Sequence, residues 1–225
     1  MSKKILLIGD EKRIDAFKNY LNKDELYEID ISDGDEEEDY ELYDLIADLN
    51  FDDNDENMEI YAGLKDKIVL VSSVKQSLSE SIYKTDGKLK CKLFGINTIP
   101  AYINTGLWEI SAYRYPEYVA LEEFLSKSTI KIQKVLDRVG MLRPRLDFLL
   151  FNELALCLQE QVSLSHDPID PIIENYVEAH DKYGTTDIFE TLMAIYEDTK
   201  EERFHPCPFL KTKYLRNQSL IKRQK

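Results

Sequence analysis

Lys3-Lys-Ile-Leu-Leu-Ile-Gly9, a helical stretch from Lys12 to Leu21, and Leu26-Tyr-Glu-Ile-Asp-Ile31 together decide the reading of this chain. The first run is short, apolar and closed by glycine, the pattern of a buried strand. Between Lys12 and Leu21 the apolar residues Ile14, Phe17 and Leu21 recur at helical spacing, so one face of a helix looks inward. The third run alternates like a second strand. Strand, helix, strand opens an α/β unit with a parallel sheet.

Such an opening also begins a Rossmann fold, whose first turn carries three glycines. One makes the turn, one lets backbone approach a pyrophosphate, and one packs helix on strand. Only Gly9 is present here; Glu11 holds the second position and Ile14 the third. A side chain at the second position blocks close approach, and a carboxylate there opposes an anion drawn to a helix N-terminus. Lys12 and Arg13 partly offset that repulsion. Asp30, 21 positions after Gly9, keeps the place of the acidic residue that holds a ribose hydroxyl. Acidic residues crowd this neighbourhood, so its presence says little.

Further along, Tyr43-Asp-Leu-Ile-Ala-Asp-Leu-Asn50 and Lys67-Ile-Val-Leu-Val71 read as strands, with a short helix from Asn57 to Leu64 between them. Ser72 and Ser73 follow the second of these. A serine pair after a strand is more often turn chemistry than catalysis, and no histidine stands near to activate one. Lys92-Leu-Phe-Gly-Ile-Asn-Thr-Ile-Pro-Ala-Tyr-Ile-Asn-Thr-Gly-Leu-Trp-Glu109-Ile110 reads as a strand, a tight loop around Pro100, and a returning strand. Asn97 in that loop is expected to bond its own backbone. Glu109 is either a buried carboxylate or a surface residue of an edge strand.

From Asp24 to Asn57 there are seventeen Asp or Glu residues and no Lys or Arg. The run is a solvated loop, a cation site or an acidic docking surface, and repulsion between like charges favours the loop. Its spacing matches no calcium loop. Lys84, Lys88, Lys90 and Lys92 form the basic stretch of this half, read as a solvated turn or as a dock for a phosphate.

No comparably apolar strand follows Pro116 at once. Glu117 to Leu125 is a helix, and Ser128 to Leu136 a strand or a helix. The chain then turns helical. Asp147 to Glu160 is apolar on most faces and is expected at the centre of a bundle. Asp167-Pro-Ile-Asp-Pro starts a helix that Gly184 ends, and Thr186 or Asp187 caps the next, running to about Glu202. The tail from Lys211 to Lys225 has six basic and no acidic residues, in the manner of a frayed helix lying on an acidic face. The expected architecture is an α/β Rossmann-like, mostly parallel domain at residues 1–140, followed by an all-α domain at 141–225.

Composition limits the function. A net charge of −14 repels nucleic-acid phosphates over most of the surface. No leader-like start and no apolar stretch of membrane-spanning length occurs. Cys91, Cys157 and Cys207 lack metal spacing and read as reduced thiols of a cytoplasmic protein. His166, His180 and His205 have no partner at ligand spacing, so no metal site is expected.

Several of these segments, in order, resemble the 3-hydroxyacyl-CoA dehydrogenase family. Its members read Gly-Leu-His-Phe-Phe-Asn-Pro and then, without a gap, Leu-Val-Glu, which lays Gly95 on the family's glycine and Glu109 on its glutamate. Tyr43 to Asn50 resembles the family strand Ala-Asp-Leu-Val-Ile-Glu-Ala, and Ser72-Ser-Val74 stands near its Asn-Thr-Ser. Asp137-Arg-Val-Gly-Met-Leu-Arg-Pro-Arg-Leu146 resembles Asp-x-Pro-Gly-Phe-Val-x-Asn-Arg, with Asp137, Gly140 and Arg145 matching. Asn152 and Glu153 match the helix that follows. Arg203-Phe-His-Pro-Cys-Pro-Phe-Leu210 resembles the family's closing segment.

The resemblance implies a dehydrogenase scaffold that dimerises through its helical domain, and a strand at 128–136. It also implies losses. The family's catalytic histidine position is Asn97, whose amide exchanges no proton near neutral pH. Pro144 replaces the asparagine that touches substrate beside that histidine. The helical excursion that helps bind cofactor and CoA ester is absent between residues 31 and 43. The expectation is a dehydrogenase-like protein without NAD binding or hydride transfer, acting as a binding or scaffolding homodimer for an acyl-CoA or a protein partner. The alternative is an active NAD-dependent 3-hydroxyacyl-CoA dehydrogenase with noncanonical residues.

Overall fold

A computed structural model describes residues 3–21, 27–34, 38–85, 89–161 and 171–224. The chain divides into two compact units, Met1–Met141 and Leu142–Lys225. Leu26, Asp86, Lys88, His166 and residues 167–170, where one helix start was expected, lie outside the described residues.

The first unit is built on seven strands: β1 (Lys3–Ile8), β2 (Tyr27–Ser32), β3 (Leu45–Asp48), β4 (Ile68–Ser72), β5 (Lys92–Ile96), β6 (Leu107–Ala112) and β7 (Lys131–Lys134). They stand in the order β2-β1-β3-β4-β5-β6-β7. Every neighbouring pair is parallel except β5 and β6. The central strands read as unbroken apolar runs because both sheet faces are covered. Ile5 and Leu7 of β1 enter one core, where Ile14, Phe17 and Leu21 of α1 (Glu11–Leu21) meet them. Leu6 and Ile8 enter the other, with Met58 and Tyr61 of α2 (Met58–Gly63) and Leu78 and Ile82 of α3 (Leu78–Tyr83). A tight loop was expected between β5 and β6. A short helix, α4 (Pro100–Ile103), occupies it instead, because Pro100 supplies the fixed φ of a first helical turn. The helix α5 (Tyr118–Leu125) precedes β7, and residues 128–136 do contain a strand.

After β1 the chain moves outward to β2 and then crosses back to β3 on the other side of β1. Residues 33–44 make that crossing, with only a 3-10 turn at Tyr40–Leu42 described within it. Parallel crossovers normally need a dozen or more residues and a helix, so this one is minimal. The acidic run is not all solvated loop, since it contains β3 and its Asp48 is 3% exposed.

The second unit holds α6 (Arg143–Gln159), α7 (Pro171–Tyr183), α8 (Thr185–Thr199) and α9 (Pro208–Gln224). Helix α6 buries Phe148, Phe151, Asn152 and Ala155, but Leu146 and Leu150 on its other side are more than half exposed. It is therefore two-faced rather than wholly central. The N-cap of α8 is Gly184, at φ +80°, and makes no side-chain cap bond; Thr186 and Asp187 lie inside the helix. Helix α8 stops at Thr199 because Lys200 turns left-handed and donates its N–H to the Tyr196 carbonyl at 2.7 Å. Asn152 pins the closing segment, donating to the His205 carbonyl at 3.0 Å and accepting from Cys207 N–H at 2.8 Å. The basic tail forms α9.

Candidate functional site

Open parallel sheets bind ligands at the carboxyl ends of strands where the winding reverses. Here the reversal falls between β1 and β3. Gly9 stands at that end of β1 with φ +150°. A Cβ on it would lie 3.0 Å from Asn50 Oδ1, so the glycine permits close approach by Asn50 from the loop after β3. Asp10 then caps α1, its Oδ1 accepting from the N–H groups of Lys12 at 3.0 Å and Arg13 at 3.1 Å. The first free donors of this helix thus point at the chain's own carboxylate.

Arg13 spans the crevice. Its guanidinium donates to the Leu49 carbonyl at 3.0 Å, to Asn50 Oδ1 at 2.9 Å and to Asp53 Oδ2 at 2.9 Å. Lys75 reaches the other Asp53 oxygen at 2.7 Å. Burial pushes the Asp53 carboxyl up, but Lys75 and Arg13 together hold it below the usual carboxylate range. Arg13 was expected to offset the charge of Glu11; it is committed to Asp53 and Asn50 instead. Glu11 is exposed in the first turn of α1. Asp30 lies in the middle of β2, level with Leu6 and short of the carboxyl end. There its carboxylate helps hold the Tyr43 hydroxyl up to about 12, after burial.

A second polar cluster sits at the carboxyl ends of β4 and β5 and on β6. Ser72 donates to Asp52 Oδ2 at 2.6 Å and lies 2.7 Å from the Thr98 hydroxyl. Asp52 also accepts from the N–H groups of Val74 at 2.7 Å and Lys75 at 3.1 Å. Burial raises its pKa against these three bonds. Ser73 donates to the Gln76 carbonyl at 2.8 Å, which is turn chemistry. Asn97 and Glu109, twelve residues apart, meet in the buried interior: Asn97 Nδ2 donates to Glu109 Oε2 at 3.1 Å. Asn97 Oδ1 accepts from Ile99 N–H at 3.2 Å, the expected local backbone bond. Glu109 is 1% exposed, on a strand flanked by β5 and β7, and so is not an edge residue. Gly95 pairs with Ser111 across β5 and β6, where a Cβ would come within 2.6 Å of both Ser111 Oγ and Ser73 Cβ.

Pro144 lies in the first turn of α6, where its missing N–H leaves no gap because first-turn donors have no intrahelical partner. In the basic stretch at 84–92, Lys84 pairs with Asp55 and Lys92 donates to the Asp66 carbonyl. Among the described residues no group of His, Cys, Asp and Glu could hold a metal ion. No helix there is long and apolar enough to cross a membrane.

Sequence reasoning missed Asp10, Asn50, Asp52 and Asp53. An Asp directly before a helix was a readable cap signal for the first of them. Asp52 and Asp53 looked like members of a charge run and Asn50 like the end of a strand, and only the fold after β3 brings them to the crevice.

The sequence matches no family model and no curated protein. Solved structures do match. The (S)-3-hydroxybutyryl-CoA dehydrogenase PaaH1 of Ralstonia eutropha superposes with a TM-score of 0.66 at 12% identity, over 94% of this chain and 93% of that one. FadB2 of M. tuberculosis gives 0.64 at 12% identity, over 97% and 95%. The fold is that of the 3-hydroxyacyl-CoA dehydrogenases. Psf3, solved in complex with NADP+ and 2-OPP, superposes with a TM-score of 0.55 at 10% identity, over 94% of this chain and 92% of that one. Identities this low establish the dehydrogenase fold and nothing of the chemistry.

Proposed function

We propose that this chain is a 3-hydroxyacyl-CoA dehydrogenase-like protein that binds or scaffolds, without NAD binding or hydride transfer, as a homodimer joined through its helical unit. The observation that carries the reading is Arg13, tied to Leu49, Asn50 and Asp53 across the β1/β3 switch point. A dinucleotide pyrophosphate needs free N–H groups at the helix start and bare backbone beside them. Asp10 takes those N–H groups, and Glu11 adds a carboxylate in the same first turn. The residues present do not fit the cofactor. Asn97 supports the same conclusion from the other side, since its amide is used by Glu109 and Ile99 and transfers no proton. The ligand class that suits the scaffold is an acyl-CoA or a protein partner.

Two observations favour the alternative, an NAD-dependent dehydrogenase of fatty-acid metabolism: Glu109 remains buried and bonded to residue 97, and Psf3 holds NADP+ on a similar fold. A titration with NADH, read by energy transfer from Trp108, together with an assay of acetoacetyl-CoA reduction, separates the two. No saturable signal and no turnover is expected. Saturable micromolar binding with turnover would replace the proposal by the alternative.

A further inference from the structure

The sheet of the first unit ends on two strands, β2 and β7, each with a neighbouring strand on one side only. In β7 the N–H of Lys131 donates to the Gly106 carbonyl at 2.9 Å, and that of Val135, just past the strand, to the Ile110 carbonyl at 2.9 Å. Residues 131, 133 and 135 therefore turn their peptide groups toward β6. The alternation of a parallel ladder points the N–H and C=O of Ile132 and Lys134 the other way, off the edge of the sheet. Among the described residues nothing bonds these outward peptide groups, so β7 presents an open row of donors and acceptors.

Apolar surface lies beside that row. Ile132 packs on the core that α5 covers, which puts residues 132, 134 and 136 on the α5 side of the strand. On that side Leu136 is 81% exposed, and Tyr115, in the turn before α5, is 71% exposed. Val119, at the start of α5, is exposed as well. Lys134 joins strand to shelf: its Nζ lies 4.8 Å from the centre of the Tyr118 ring and 5.9 Å from that of Tyr115, and pairs with Glu122 at 2.7 Å. The opposite side of β7 carries Lys131 and Gln133, both exposed, and among the described residues no carboxylate pairs with Lys131.

Charge selects what can pair here. The other terminal strand, β2, carries Glu28 and Asp30 and repels an acidic strand. Two copies of β7 would set lysine against lysine, the device by which edge strands avoid pairing with themselves. An acidic strand meets no such repulsion at β7. We propose that β7 docks an extended segment of a partner protein in which acidic and apolar residues alternate, so that the segment becomes a further strand of the sheet. Its main chain bonds Ile132 and Lys134, its apolar side chains lie over Leu136, Tyr115 and Val119, and its carboxylates face Lys131. This gives a place and a chemistry to the protein partner proposed above and rests on that reading.

Fluorescence anisotropy on the full chain provides the test, with a fluorescein-labelled peptide of alternating glutamate and valine and a lysine–valine counterpart. The acidic peptide should bind saturably, with a Kd on the order of 100 μM or tighter, and the basic one should not. Lys134→Pro deletes an outward N–H that the free chain does not use, a change that an edge strand tolerates. It should raise the Kd about tenfold, whereas Lys134→Ala, which keeps the N–H, should raise it less than about threefold. Lys131→Glu should raise it about threefold to tenfold, a difference that shrinks in high salt. Circular dichroism checks that each variant is folded, and Lys131→Glu carries the test alone if Lys134→Pro is not. No saturable binding of the acidic peptide at about 1 mM, equal binding of the basic peptide, or a Kd unmoved by the folded variants would overturn the proposal. Self-association of the free chain that Lys134→Pro abolishes would overturn it too, by giving the edge to a second copy. Failure of the peptide with no NADH signal removes this site alone; NADH binding with turnover removes the wider reading whatever the peptide does.

Discussion

Replacing Asp48 by Asn should stabilise the protein at neutral pH. Asp48 ends β3 and is 3% exposed; its Oδ2 accepts from the Tyr61 hydroxyl at 2.9 Å and its Oδ1 from Asn50 N–H at 3.2 Å. Burial is the dominant influence and pushes the carboxyl from 3.8 up to about 6, against the help of those two bonds. The native state therefore keeps a proton that the unfolded chain releases. Stability is highest below about pH 4 for this group and falls as pH rises through about 6. The gap between 3.8 and about 6, at about 1.36 kcal/mol per pH unit, sets a ceiling of about 3 kcal/mol on the penalty at pH 7. Asparagine has the same shape. Its Oδ1 can keep the Asn50 bond while its amide donates to the Tyr61 oxygen.

Urea unfolding of wild type and Asp48→Asn at pH 7 and pH 4.5 measures the effect. The variant should be more stable by about 1–3 kcal/mol at pH 7, with the advantage shrinking toward zero at low pH. The other titrating groups cancel in the difference. A variant less stable than wild type at pH 7, or one with the same advantage at both pH values, would refute the reasoning.

Asn97→His should place an imidazole against Glu109, whose carboxylate now accepts from Asn97 at 3.1 Å. Its pKa by NMR should lie above the ordinary histidine value of about 6.5, and no dehydrogenase turnover is expected because the nucleotide crevice is unchanged. Arg13→Ala removes the hydrogen bonds to Leu49, Asn50 and Asp53 and should lower stability by about 1–3 kcal/mol in urea unfolding. Asn152→Ala removes two bonds that hold residues 205–207 to α6 and should cost about 2–3 kcal/mol, with faster hydrogen exchange in that segment. Gly95→Ala forces a Cβ within 2.6 Å of Ser73 and Ser111 and should destabilise by about 1–3 kcal/mol by thermal unfolding; Ser111→Gly in the same chain should recover part of it.

The sequence by itself determined the strands. Ile5 to Ile8, Ile68 to Val71 and Leu93 to Ile96 are apolar without interruption because a parallel sheet covered on both faces leaves them no polar side. It also determined the helix break at Gly184, since backbone preference acts locally. The run from Gly95 to Glu109 drew attention to Asn97 and Glu109, and the fold brings the two into contact. Only the tertiary structure decided what fills the switch point. Arg13 lies about forty residues before its partner Asp53, and nothing local in either residue signals the pairing. Asp48, Asp52 and Asp53 belong to one run of like charge, yet two have their pKa raised by burial and the third is held down by two cations. Charge in a sequence is a count; whether it costs or contributes depends on the solvent left around it and on which opposite charge the fold brings near.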